Sequence, residues 1–64
     1  MKMKEYREEK QLTQFELGKL LNVDSNTISR IERTGKCRLD MAYCIAEILG
    51  HTIEEIFFTN EKKD

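Results

Sequence analysis

The stretch from Thr13 to Glu32, TQFELGKLLNVDSNTISRIE, constrains the fold more than any other part of this chain, because it encodes two short helices with almost nothing between them. Leu17, Leu20 and Leu21 recur at i, i+3 and i+4, and Ile28 and Ile31 lie three apart. Both spacings are those of one helix face. Thr13 and Glu16 make a capping box, in which the threonine hydroxyl accepts from the Glu16 backbone N–H while the glutamate reaches back to the threonine. Asn22 stands where the first of these helices must stop, and asparagine is the non-glycine residue that best tolerates the left-handed conformation of a helix end. Asp24 then caps the second helix. Gly18 falls where the two helices cross, and its missing side chain lets the backbones approach.

Two helices joined in this way read as a helix-turn-helix. With Leu17, Gly18, Leu21, Val23, Ile28 and Ile31 in place, the segment resembles the Cro and phage-repressor class of helix-turn-helix domains, the XRE family. The resemblance continues from Tyr6-Arg7-Glu8-Glu9-Lys10 through Ala46-Glu47-Ile48-Leu49-Gly50 to Ile56-Phe57, and so covers most of the chain. It implies an all-α fold, a compact bundle of four to five helices of the phage-repressor DNA-binding type with a central helix-turn-helix. It also implies a structural ion pair between Arg7 and Glu32, since the corresponding residues of the family commonly pair. One loop departs from the family pattern: Gly35 follows Glu32 by three positions rather than two, and no proline precedes the next helix.

Composition agrees with helices alone. The chain has 64 residues, no proline, three glycines and 39% hydrophobic residues, and no segment alternates strictly between apolar and polar. An all-helical domain of this length buries only ~60% of its unfolded surface, which leaves little room for an elaborate active site. Residues 3–10 predict a first helix with Met3 and Tyr6 inward, and Leu12 joins the core. Residues 33–38 form the one clear loop, with Gly35 supplying its turn. Leu39 to Leu49 predict a fourth helix with Leu39, Ala42, Ile45, Ala46 and Leu49 on its inner stripe, Met41, Cys44 and Ile48 on a weaker second one, and Gly50 as its stop. Thr52 and Glu55 form another capping box, opening a short fifth helix with Ile53, Ile56 and Phe57 available to close the core. The expected organisation is one domain over residues 1–58 and a flexible tail over 59–64. No apolar run approaches the ~20 residues of a membrane span, and MKMKEYREEK lacks the apolar region of a signal peptide, so the expected location is the cytoplasm.

Net charge is only −1, but its distribution is uneven. Between positions 11 and 38, Lys19, Arg30, Arg33, Lys36 and Arg38 face Glu16, Asp24 and Glu32. Beyond position 38, Lys62 and Lys63 face Asp40, Glu47, Glu54, Glu55, Glu61 and Asp64. The cations therefore gather on the helix-turn-helix, and acids more than ~8 Å from a phosphate bound there are largely screened. Stepping 100° per residue from Ser25 turns Ile28 and Ile31 inward and centres the outward face on Asn26 and Arg33, with Ser29 and Arg30 beside them. Asparagine, serine and arginine suit base edges. Ser25, Asn26, Ser29 and Arg30 are thus the expected base readers, and Gln14, Thr27, Arg33, Lys36 and Arg38 the expected phosphate contacts.

These features predict a sequence-specific regulator of transcription that binds double-stranded DNA, a repressor acting as a homodimer on a palindromic operator. Ile56, Phe57 and Phe58 are the expected dimer contact, with Met41 and Ile48 as a second choice. The competing reading is an antitoxin-like or anti-repressor module that uses the same fold to bind a protein partner, and Phe15, opposite the Leu17/Leu21 face, suits it. No enzyme is expected, because no nucleophile–base set and no phosphate-binding glycine loop occurs. No cofactor or metal is expected either: Cys37 and Cys44 have no histidine or cysteine at ligand spacing. They read as reduced thiols, with redox sensing by Cys37 in an exposed loop as the sharper alternative.

Overall fold

The local signals for helix ends are all used. In the computed structural model, which describes residues 1–58, the helices are α1 Met3–Glu9, α2 Gln14–Leu21, α3 Ser25–Thr34, α4 Leu39–Leu49 and α5 Ile53–Phe57. No strand occurs among the described residues. The tail expected over residues 59–64 lies outside them. Thr13 and Thr52 each close a complete capping box, with Glu16 and Glu55 respectively. Asp24 accepts from the backbone N–H of Thr27 at 2.9 Å and from its hydroxyl at 2.7 Å. Those two bonds, the hydroxyl's first, hold the Asp24 carboxyl below its ordinary range. Asn22 sits at φ 63 and Gly50 at φ 73, the left-handed ends of α2 and α4. Gly35 closes α3 at φ 72, so Arg33 and Thr34, expected in the loop, instead extend the helix.

The first helix ends at Lys10 as expected, but the residue that closes it was not legible. Gln11 adopts φ 59 after α1, where its N–H bonds to the Glu8 carbonyl and the next N–H, of Leu12, returns to the Arg7 carbonyl. This is a Schellman closure at a residue with a Cβ. Gln11→Gly should therefore stabilise the domain by about 0.5–1 kcal/mol, seen as a higher urea midpoint at unchanged slope. A lower midpoint would show that the glutamine side chain contributes more than its strained backbone costs.

The core takes at least one side chain from each helix: Met3, Leu17, Ile28, Ile31, Ile45, Leu49 and Ile56, all buried. Leu12, Leu21 and Ala46 pack against it half-buried. A backbone bond of 2.9 Å from Lys2 N–H to the Ile56 carbonyl ties the start of α1 to α5. Between α2 and α3 the backbones meet at Gly18, where a Cβ would lie 2.6 Å from the Val23 carbonyl oxygen. Phe15 is exposed, as its position opposite Leu17 requires.

Three apolar expectations are corrected. Leu20 is 61% exposed. The buried sector of α2 is centred between Leu17 and Gly18, and Leu20 points about 110° from that centre at 100° per residue. Leu39 is 67% exposed, since it opens α4 at the margin of the Ala42–Ile45–Leu49 stripe, where no helix covers it. Ile56, expected both to close the core and to stand at a dimer contact, does only the first: it is 0% exposed because it fills the core beneath α1.

His51, just beyond α4, has a structural role that its sequence context did not reveal. Its ring stacks on Tyr6, with centroids 3.6 Å apart, and its two nitrogens lie 3.1 Å from Glu9 and 3.2 Å from Glu55. Cys37 is partly buried rather than exposed, and that burial raises its thiol pKa. A raised thiol pKa lowers the fraction of thiolate, the reactive form.

Candidate nucleic-acid interface

Helix α3 is anchored from below and capped at its start, and these two constraints fix what it offers to solvent. Ile28 and Ile31 lock its inner face into the core, and Asp24 sets its N-terminus. Asn26, Arg30 and Arg33 are consequently exposed, with Ser25 and Ser29 half-buried beside them. Asn26 and Arg30 stand four apart, about one helical turn, so they share a face. Among the described residues neither Arg30, Arg33 nor Lys36 forms an ion pair with a carboxylate. Three cationic groups are therefore free to meet a polyanion.

The flanks are less uniform. Lys36 is exposed, its backbone N–H directed to the Thr34 hydroxyl at 3.2 Å. Arg38 lies 3.5 Å from Asp40, but both side chains are mostly in water, where such a pair holds weakly and can exchange for a phosphate. Thr27 does not fit the phosphate role expected of it. Both its hydroxyl and its backbone N–H donate to Asp24, and a phosphate oxygen needs a donor.

Gln14 opens α2 half-buried, and its Nε2 donates to Glu32 Oε1 at 3.0 Å. Glu32 in turn is paired with Arg7: Nε lies 2.7 Å from Oε2, and both side chains are only 8% exposed. The remaining Arg7 nitrogens reach Leu12 and Glu32, with Nη1 donating to the Leu12 carbonyl at 2.7 Å and Nη2 standing 3.5 Å from Glu32 Oε1. This network joins the end of α1, the start of α2 and the last turns of α3. The link to Gln14 had no signal in the sequence, since it spans 18 positions.

A helix-turn-helix family model matches residues 3–56, from the first residue of α1 to the buried isoleucine of α5. The chain belongs to the helix-turn-helix family. No curated protein and no solved structure matches the chain. In helix-turn-helix terms α2 and α3 are the paired helices, and α3 holds the recognition position. The family is one of DNA-binding regulators of transcription, a class that works by binding. No helix among the described residues is long and apolar enough to cross a membrane, and no cluster of potential metal ligands occurs among them.

Proposed function

We propose that this protein is a sequence-specific, double-stranded-DNA-binding repressor that acts in the cytoplasm as a homodimer on a palindromic operator. The observation that carries this reading is the outward face of α3, where Asn26 and Arg30 stand one turn apart and where Arg30 and Arg33, with Lys36 in the loop that follows, lack carboxylate partners among the described residues. Arginine can bond guanine through two atoms and asparagine adenine likewise. Asn26 and Arg30, with Ser25 and Ser29, read bases in the major groove; Gln14, Arg33, Lys36 and Arg38 hold phosphates and set the register.

The two groups fail differently when removed. Once a preferred operator has been selected from a random duplex pool, Arg30→Ala should cost about 1–3 kcal/mol on it and relax preference at one base position. Lys36→Ala should weaken all duplexes alike and lower the salt slope by about one. Affinities of both variants for the operator and its single-base mutants, at several salt concentrations, decide the matter. Arg30→Ala weakening every sequence equally would remove it from the base readers.

Dimerisation follows from reach, since one recognition helix spans only a few base pairs and two-fold operators repeat every ~34 Å. With Ile56 withdrawn into the core, Phe58, 69% exposed, leads the contact, beside half-buried Phe57. Leu39 and Tyr43 are also exposed, and hollows lined by Leu39 and Ile53 run toward Tyr43 on one side and Phe58 on the other. Phe58→Glu should therefore shift sedimentation toward monomer. An unchanged association state would exclude this face. The alternative, a module that binds a protein partner, is favoured by the exposed Leu20 above an apolar groove of ≈ 400 Å³ with Met41 and Ile48 in its wall. Such a module would show no salt-dependent affinity for duplex DNA.

A further inference from the structure

We infer that Glu32, besides pairing with Arg7, is a positioning residue that holds the carboxamide of Gln14 in the one orientation suited to a DNA phosphate. This rests on the DNA-binding reading above. The Glu32 carboxylate cannot turn freely, because its side chain is almost wholly buried and Arg7 Nε grips Oε2 at 2.7 Å. Its other oxygen, Oε1, accepts from Gln14 Nε2 at 3.0 Å.

An ionised carboxylate only accepts, so it selects which end of the carboxamide faces it: the NH2 must point inward to Glu32, and the carbonyl cannot. The amide is planar, and fixing one N–H fixes the direction of the second. That second hydrogen has no acceptor among the described residues, and neither has the backbone N–H of Gln14 at the start of α2. Two donors thus stand at a helix N-terminus, one of them aimed by a side chain from another helix. A phosphate oxygen also only accepts, and it meets a donor already oriented. A free glutamine would have to give up its rotamer freedom on binding, a loss worth about two- to tenfold in affinity.

The test is a mutant cycle read as affinity for a random-sequence duplex across a salt series. Gln14→Met keeps the length of the side chain and removes the amide. In the parent it should weaken binding about tenfold, with the salt slope unchanged because no charge is lost. The Arg7→Met, Glu32→Met double variant replaces the buried pair by apolar side chains, a change that small domains often tolerate. In that background Gln14→Met should cost no more than about twofold, since the amide is no longer held. The full tenfold cost in both backgrounds would overturn the inference, because a merely structural ion pair would lower stability and leave the cost at Gln14 unaltered. Parent affinity in Gln14→Met would overturn it as well.

A second measurement uses the unmodified protein and does not depend on the double variant folding. Side-chain amide relaxation in solution should find the Gln14 NH2 restrained and that of exposed Gln11 mobile. Equal mobility would overturn the positioning role even where DNA binding is intact. A parent protein that binds no duplex at any salt fails the DNA reading itself, a result distinct from either of these.

Discussion

Arg7→Ala should lower stability by about 3–5 kcal/mol, the usual cost of stranding one member of a buried ion pair. The guanidinium meets three acceptors at once: both oxygens of Glu32 and the Leu12 carbonyl. Its loss leaves a buried carboxylate with only the Gln14 amide as donor and removes the side-chain donor from the Leu12 carbonyl. A domain of this size has on the order of 3–10 kcal/mol in all, so the loss takes about a third of that reserve or more. Arg7→Lys should rescue only part of the loss, because an ammonium on a flexible stem cannot reproduce the planar fork. Thermal and urea unfolding followed by circular dichroism give the answer. A parent-like midpoint for Arg7→Ala would show that the pair adds nothing.

Ile28→Ala should cost about 2–5 kcal/mol, through lost burial and the cavity left behind. Ile28 is fully buried on the inner face of the recognition helix, in a core that draws on all five helices. Ile28→Val, which removes one methylene, should cost about 0.5–1.5 kcal/mol, so the pair of variants separates packing from any general intolerance at the site. Asn26→Ala, two residues away but exposed, should leave the unfolding midpoint within about 0.5 kcal/mol of the parent. A small loss at Ile28 would mean that α3 can settle onto the core without it, and that its outward face is not rigidly aimed.

The helices and their limits were legible because the interactions that decide them are local. A threonine three residues before a glutamate, an asparagine at a helix end and an aspartate before Ser25 each act within one turn, and each is found as read. Which of the polar residues of α3 face outward followed from Ile28 and Ile31 by the same short-range geometry. Arg7 and Glu32 stand 25 positions apart, and only the family resemblance brought them together beforehand.

The sequence by itself therefore determined the all-helical class, the five elements, the turn at Asn22 and the polar face of α3, since helix period and capping are set within about four residues. Tertiary structure alone decided which apolar side chains find cover. Leu20 and Leu39 carry the right spacing and remain in water, because burial depends on where a neighbouring helix lies and not on a residue's own helix. It also decided the stacking of His51 on Tyr6 and the bond between Glu32 and Gln14. Each of these is fixed by how the helices dock, and docking is a property of the whole assembled core that no local pattern encodes.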